Sequence, residues 1–521
     1  MYRSFSSNTS NFLYSTLHLT DWIMEPTAAW VPFNVQLSNW TMEYAGWDPG
    51  YPVESESTEM VEFEYAAATD DDSVDKEDQQ EFEPHFHNMG MKIPINPIHV
   101  FEDAAREFKV DIDMMKMKIH KYPPSIQVFD NKFFTVPRLV AIGPYHHGQN
   151  QLKQAEKAKY VAAYHCIMES GHSVQDMYDA VVTAAYDSRS LYDKDVMADI
   201  SEDDFLHMMF YDACFLVQYF ALSTNGSSTM DPSLRGFFDF NRKAIRHDIV
   251  LLENQIPWRV VEAVLRFRPV DLKAFVAFWK KYLQDRKVVV EKPLVLDDSF
   301  EPPHLLGLLR FYIVGKGNTK TPIEVKTNTI SFSVSAIELA ENGIKLKANE
   351  EETTELIHMG VNKRGIFAEL FMAPLSLDDE RASFLINMAA LELCTTSNFQ
   401  EAEPEESAVC SYLLLLSLLV HREEDVQELR TKHLLQGGAG LVNKDALTFF
   451  TRLQSLPLRG SNCYVRIMME IEKYKVNRQM QIKVHAFFYK NKRTIFAIFS
   501  VVGVLVSILG TLMSLKKRSM V

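Results

Sequence analysis

Cysteine is scarce in this sequence, and no Cys-x-x-Cys pair occurs among its 521 residues. An odd number of widely spaced cysteines argues against a disulfide framework and against a zinc site. Cys214 and Cys410 stand in apolar runs, where a free cysteine usually behaves as a small buried hydrophobe. The full set is Cys166, Cys214, Cys394, Cys410 and Cys463.

Motifs that announce a chemistry are also missing. The sequence has no nucleophile elbow, no phosphate-binding loop and no His-Glu-x-x-His helix. The run Gly437–Gly440 lacks both the following Lys-Ser and a preceding apolar strand, so it is interpreted as a loop. We therefore expect no enzyme activity, no cofactor and no bound metal.

Basic charge is not gathered into a stripe, and this argues against nucleic acid as a partner. The net charge of −15 comes mostly from residues 54–83, where thirteen acids accompany one base, Lys76. Residues 1–92 are predicted to be a disordered arm, because like charges repel and this stretch has little apolar surface to bury. The alternative is that the arm is an interaction tail or a mask for a basic partner.

One long apolar run is present near the C-terminus. Residues 494–515 are uncharged, with bases before them at Lys490, Lys492 and Arg493 and a short basic tail over 516–521. As a helix, this run is about 33 Å long, enough to cross a bilayer core of about 30 Å. It predicts a single transmembrane helix in contact with lipid. The alternative is a buried core helix.

The sequence does not determine on which side of the membrane the body lies. No secretory signal is recognisable, and bases flank the span on both sides, so the positive-inside bias gives no direction. A C-terminal anchor predicts a body in the cytoplasm, whereas glycans at the sequons of Asn8, Asn39 and Asn225 would place it outside. We favour the plasma membrane over the endoplasmic reticulum.

The fold class expected is mainly α-helical with minor β-strands: one large helical domain over residues 93–490, plus the span. Residues 205–220 are apolar nearly all round and predict a buried central helix. Residues 260–283 predict one long helix, and residues 465–489 another that leads into the span. Residues 367–377 predict strand, followed by a helix capped by Asp378 or Asp379.

Three short strings occur in order: VAIGPYHHG over residues 140–148, MMFYDACFL over residues 208–216 and DIVLLENQIP over residues 248–257. The first and third strings are specific, and a weaker fourth match is Asn387-x-x-Ala390-x-Glu392-x-Cys394. With the C-terminal span, these strings resemble the plant-specific domain of unknown function 247 family (UPF0481), over roughly residues 125–515. The residues of the strings that we single out are Gly143, Pro144, Tyr145, His146, His147 and Gly148; Asp212, Cys214 and Phe215; and Glu253, Asn254, Gln255 and Pro257.

The resemblance implies a plant membrane-associated protein with no established enzyme activity. In grasses, members of the family are associated with self-incompatibility loci as candidate pollen-side determinants. This sequence departs from the family pattern at Ala213, where glycine is usual, and at Gln218, where an acid is usual. Any role that those two positions have elsewhere in the family is therefore in doubt here.

Physical reasoning favours a structural role for the singled-out residues. His146 and His147 are adjacent in a turn, where neighbouring side chains diverge, so hydrogen bonding is expected rather than a shared metal. A carboxylate in an apolar helix needs a partner. We expect Asp212 or Glu253 to pair with Arg242 or Arg246, which lie upstream of Glu253. The Asn254 and Gln255 amides are expected to cover carbonyls at a helix end.

Three functional hypotheses remain open. The leading one is a membrane-anchored protein whose helical body recognises another protein, of unknown identity. The second is a hydrolase or transferase with an unrecognised site in the core. A polar pocket that gathers His146, His147, Asp212 and Glu253 would favour the second hypothesis. The third is a structural membrane adaptor.

Overall fold

The elements of the fold are mostly helices, joined by short turns. The computed structural model describes residues 97–126, 132–224, 230–284, 294–317, 334–349, 355–365, 367–399, 401–437, 441–456, 458, 462–477, 483, 485, 487 and 489–518. The helices are α1 (Pro97–Met114), α2 (Lys153–Ser170), α3 (Val174–Ala185), α4 (Lys194–Met197), α5 (Glu202–Ser223), α6 (Pro232–Phe240), α7 (Arg242–Asp248), α8 (Trp258–Phe267), α9 (Leu272–Gln284), α10 (Leu305–Val314), α11 (Ala336–Glu341), α12 (Asp379–Thr395), α13 (Ala408–Leu418), α14 (Glu423–Thr431), α15 (Asn443–Gln454), α16 (Asn462–Asn477) and α17 (Lys492–Arg518).

Helix α5 is the buried central helix that the sequence predicts. Its N-terminus is capped by Ser201, whose hydroxyl accepts a hydrogen bond from the Asp204 amide, and three acids in the first turn suit the positive end of the helix. From Met208 to Ala221 nearly every side chain is buried, because α2, α3 and α8 pack around the helix.

The prediction of one long helix over residues 260–283 is wrong. The structure has two helices there, α8 and α9, with a break at residues 268–271. Pro269 explains the break, because proline has no amide hydrogen and disfavours helical geometry in the residue before it. Asp271 then begins α9 by accepting a hydrogen bond from the Ala274 amide at 2.9 Å.

Two small sheets complete the body. The first has the strands β1 (Ile344–Ala348), β2 (Gly360–Arg364) and β3 (Phe367–Met372), with β3 in the middle, parallel to β1 and antiparallel to β2. The second pairs β4 (Leu375–Leu377) with β5 (Leu435–Gly437) in parallel. The strand expected before α12 is therefore present, and the Asp378 carboxylate caps α12 through the Arg381 amide.

A single hydrophobic core runs from Ile119 to Tyr474 within the described residues. Aromatic rings connect its helices: Phe220 lies 4.3 Å from Phe275, and Trp279 lies 5.0 Å from Phe384, between ring centroids. The expected fold class, mainly α-helical with minor strands, is confirmed. The predicted arm over residues 1–92 lies outside the described residues.

The C-terminal helix differs from every helix of the core in its exposure. Two described helices are long and apolar enough to cross a membrane, α5 and residues Thr494–Thr511 of α17. Within α5, 78% of the window is buried in the body, whereas none of Thr494–Thr511 is buried. Helix α17 is therefore the candidate membrane span.

Candidate functional site

The first and third of the sequence strings meet in the core through the Asp248 carboxylate. This fully buried group accepts hydrogen bonds from the backbone amides of Arg138, Leu139 and Val140, at 2.7 to 2.9 Å. His247 Nδ1 lies 2.9 Å from the same carboxylate, and its Nε2 lies 2.6 Å from the Phe133 carbonyl oxygen. An irregular loop is thus held on the end of α7 by one charged side chain.

The side-chain amides of Asn254 and Gln255 form hydrogen bonds with backbone groups around the end of α7, as predicted. Asn254 Nδ2 donates to the carbonyl oxygens of Asp248 and Val140, while its Oδ1 accepts from the Ile142 amide at 2.7 Å. Gln255 Nε2 donates to the carbonyl oxygens of Ile249 and Leu251. Its Oε1 accepts from the Leu306 amide, which ties the turn to α10.

Gly143 stands where the loop passes closest to the third string. Its φ is 76° and its ψ −174°, a conformation essentially reserved for glycine. A β-carbon at this position would lie 2.4 Å from the Gln255 carbonyl oxygen, so only glycine fits without a shift of the backbone. The Gly143 amide donates to Asp212 Oδ2 at 2.7 Å.

Asp212 therefore connects the second string to the first. Its other carboxylate oxygen lies 2.6 Å from Lys159 Nζ on α2, and Lys159 also contacts Glu156 at 2.8 Å. Burial lowers the pKa of Lys159, but the Asp212 and Glu156 carboxylates outweigh burial and raise it.

The predicted arginine partners of Asp212 and Glu253 are wrong. Arg242 is exposed and pairs with Asp239 on the surface. Arg246 lies 3.8 Å from Glu380 and stacks over the ring of Tyr282. Lys159 was overlooked as a partner, although a lysine among Ala155, Ala158 and Ala162 on one helix face was a signal of a buried charge.

His146 and Glu253 are two candidate residues that contact each other, and Glu253 is the more exposed of the two. His146 Nε2 lies 3.5 Å from Glu253 Oε2, and 21% of the Glu253 side chain is exposed. Glu253 Oε1 accepts from the Tyr122 amide at 2.6 Å. His147 is exposed while His146 is buried, so the two imidazoles diverge as expected.

The remaining candidates are packing and turn residues. Cys214 and Phe215 are fully buried on α5, and burial raises the pKa of the Cys214 thiol. Pro144 and Tyr145 lie in the short helical turn Pro144–His146, and the Tyr145 hydroxyl donates to the Ile119 carbonyl oxygen at 2.7 Å. The other two lie at element ends: Gly148 is exposed, and Pro257 directly precedes α8.

The weaker fourth match provides two further buried polar groups. Asn387 accepts from the Leu252 amide and donates to the Phe134 carbonyl oxygen. Glu392, fully buried, accepts from the Val409 and Cys410 amides and pairs with Arg310 at 2.6 Å. Arg310 was missed because it lies in none of the strings. Burial, the largest effect, raises the pKa of Glu392, and Arg310 opposes that shift.

The geometry therefore uses its buried charges to hold backbone segments together. Among the residues that the structure describes, no group of three or more His, Cys, Asp or Glu side chains is placed to hold a metal ion. Burial raises the pKa of the Cys394 thiol to about 12, which disfavours the thiolate form that a nucleophilic cysteine needs.

Comparison with known proteins identifies the family of this chain. The model of DUF247, a plant protein of unknown function, matches residues 119–506. The chain is a DUF247 protein. This DUF247 chain is also 22% identical over 379 residues to a UPF0481 protein of Arabidopsis thaliana, an alignment that covers 68% of the chain and 74% of that relative. No solved structure matches it. The expected family is confirmed. Within the described residues, hydrogen bonds join its strings into one polar network.

Proposed function

We propose that this DUF247 protein is anchored in a membrane by α17 and that its helical body recognises another protein rather than catalysing a reaction. The supporting observation is the contrast between two apolar helices of similar length. Helix α5 is enclosed by the body, whereas no residue of Thr494–Thr511 is buried. Apolar surface of that length is stable only where lipid or protein covers it.

The buried acidic residues already have partners within the body, and this supports recognition over catalysis. Asp212 is paired with Lys159 and Glu392 with Arg310, while Asp248 accepts hydrogen bonds from three backbone amides. These groups make an irregular body rigid. Anchoring such a body in a membrane raises the local concentration of partners that share the membrane plane.

One observation favours an enzyme as the second candidate. The Tyr122 hydroxyl is buried and has no hydrogen-bond partner among the described residues, while its own amide is bonded to Glu253. Burial, with Cys394 and Glu253 adding to it, raises the pKa of Tyr122. A substrate hydroxyl or carbonyl could satisfy this group. Only His146 and Glu253 of the four residues named for an enzymatic pocket are in contact, however, because Asp212 is paired with Lys159 and His147 is exposed.

Two measurements on native membranes test the leading proposal. Alkaline carbonate washing should leave the full chain in the membrane pellet, and complete extraction would refute anchoring. Crosslinking in intact membranes, followed by mass spectrometry, should recover the same protein partner repeatedly from full-length chain. A chain without residues 1–92 that still captures this partner assigns recognition to the body. A chain that captures none from any membrane supports the structural adaptor instead.

The finer cellular role is part of the same proposal. We favour the plasma membrane, and glycosidase sensitivity at Asn8, Asn39 or Asn225 distinguishes an external body from a cytoplasmic one. For a chain from a grass, the form of recognition that we propose is a pollen-side role in self-incompatibility. Its support is the family resemblance alone.

A further inference from the structure

The three-stranded sheet presents a basic outer face. In β1 the side chains alternate, with Ile344, Leu346 and Ala348 buried and Lys345 and Lys347 exposed. At the hairpin between β2 and β3, Lys363 and Arg364 are exposed as well. We refer to Lys345, Lys363 and Arg364, which lie at the end of the sheet nearest Gly365, as the basic hairpin end.

The register places Lys345 and Arg364 on the outer face beside the Phe367 ring, whereas Lys363 is paired with Ala368 and lies on the other face at the same end of the sheet. Arg364 is paired with Phe367 across β2 and β3, and Lys345 is paired with Glu369 across β1 and β3. Lys345 Nζ lies 4.8 Å from the centroid of the Phe367 ring. Arg364 Nε lies 3.2 Å from Glu369 Oε2.

The segment that precedes the candidate span packs on the same end of the sheet. The His485 ring lies 5.5 Å from the Phe367 ring, and His485 Nδ1 lies 2.9 Å from the Glu341 carbonyl oxygen. Lys490 Nζ pairs with Glu341 at 3.2 Å. The amide of Ile495 bonds to the carbonyl oxygen of Asn491, so the helical path continues into α17.

Helix geometry places the basic hairpin end close to the lipid headgroups. If the hydrocarbon core begins at Thr494, a rise of 1.5 Å per residue puts Lys490 about 6 Å outside the core, within the headgroup layer. His485 is then at most about 14 Å outside the core, and the Phe367 ring lies 5.5 Å from the His485 ring. The cations are therefore within about one Debye length of the headgroup surface.

The charge balance at this end of the sheet is positive. Three acids close to this end of the sheet are each paired: Glu338 with Lys475, Glu341 with Lys490 and Glu369 with Arg364. The exposed ammonium groups of Lys345, Lys347 and Lys363 are additional to those pairs. Anionic surfaces attract such clusters by about 1 kcal/mol for each lysine or arginine near them.

We propose that the basic hairpin end is a docking surface for anionic phospholipid headgroups, which holds the body in a fixed orientation on the membrane that anchors it. This inference rests on the proposed membrane anchoring. An acidic protein segment, such as residues 54–83 of this chain, would fit the same charges, but the position beside the span favours lipid. The test below separates the two.

The experiment measures the reactivity of individual lysines in the full chain. The protein is reconstituted in nanodiscs of phosphatidylcholine alone or of phosphatidylcholine mixed with phosphatidylserine, and amine labelling is followed by mass spectrometry. Lys345, Lys347 and Lys363 should each be labelled about fivefold more slowly in the anionic discs, the factor that corresponds to an attraction of about 1 kcal/mol per charge. Lys153 and Lys157, exposed on α2, are internal references whose rates should not change.

A charge-reversal variant of the basic hairpin end is compared with a matched control variant. In Lys345→Glu/Lys363→Glu/Arg364→Glu, labelling of Lys347 should no longer depend on the lipid. A variant with the same change of charge on the helical part, Lys153→Glu/Lys157→Glu/Lys273→Glu, should retain that dependence. These three control lysines are all exposed.

Each other outcome has a defined meaning. Equal labelling of Lys345 and Lys363 in both kinds of disc would overturn headgroup docking. Protection in both discs that disappears when residues 54–83 are deleted would also overturn it, in favour of the chain's own acidic run. Failure of the chain to enter discs or to resist carbonate would instead refute the anchoring itself.

Discussion

The Lys159 ammonium group and the Asp212 carboxylate lie 2.6 Å apart between α2 and α5, with 2% and 1% of their side chains exposed. A buried pair of this kind adds little stability by itself, because desolvation of both charges offsets their attraction. Its effect here is positional, since Asp212 also receives the Gly143 amide and so fixes the loop against two helices.

The first prediction concerns this pair. Asp212→Asn retains an oxygen for the Gly143 amide but leaves Lys159 buried beside only Glu156. We expect the free energy of unfolding to fall by about 3 kcal/mol, the usual cost of removing one member of a buried pair. The measurement is guanidinium unfolding of the full chain in detergent.

Two further variants make that result interpretable. Lys159→Met/Asp212→Asn should recover part of the loss, because the unpaired charge is gone. Asp239→Asn removes the acid of the exposed pair with Arg242 and should change stability by less than about 0.5 kcal/mol. A loss in the double variant as large as in Asp212→Asn would contradict the ion-pair explanation.

The second prediction compares two glycines with almost the same φ. Gly143→Ala places a β-carbon 2.4 Å from the Gln255 carbonyl oxygen, whereas Gly148→Ala meets nothing within 4 Å. We expect Gly148→Ala to cost about 1 kcal/mol, for the left-handed backbone alone, and Gly143→Ala to cost about 3 kcal/mol or more. The same unfolding assay compares them, and equal losses would argue against the close approach of the two strings.

The third prediction is a pH dependence that His304 causes. This fully buried imidazole caps α10 by accepting from the Gly307 amide. Burial, followed by the nearby His120, lowers the pKa of His304 to about 3. Between that value and the ordinary pKa of 6.5 the unfolded chain binds more protons, so stability is lost as pH falls.

The size of the His304 effect follows from the shift. Lowering the pH from 7 to 5 should remove about 2 kcal/mol of stability through this residue. His304→Asn keeps a capping side chain without the titration. The variant should lose about 2 kcal/mol less than the natural chain over the same pH range, and an equal loss in both proteins would exclude His304 as the source.

Local patterns allowed part of this structure to be predicted from the sequence. The burial of α5 and the cap of α12 can be predicted from residues within one or two helical turns of each other. Gly143 predicts a turn in the same way. The pairing of Lys159 with Asp212 does not follow in this way, because Arg242 and Arg246 were equally suitable by chemistry. Partner choice depends on how helices pack, which short patterns do not encode.

Two other differences have similar origins. The break between α8 and α9 was missed because aromatic residues continue at helical spacing on both sides of Pro269. The Arg310–Glu392 pair joins residues 82 positions apart. Spacing along the chain also cannot determine which face of a three-stranded sheet lies outward beside the span, so the basic hairpin end emerged only from the register.

The last prediction concerns the candidate span itself. Val502 and Leu505 lie near its middle and are 48% and 53% exposed in the isolated chain. Val502→Lys/Leu505→Lys should raise the free energy of insertion by about 6 kcal/mol, because each lysine at the centre of a bilayer costs roughly 3 kcal/mol. The double variant should therefore be extracted by alkaline carbonate. Phe240→Lys, at a 90% exposed position on α6, adds a charge to the body and should leave the chain in the pellet. Retention of the double variant would mean that another part of the chain holds the protein on the membrane.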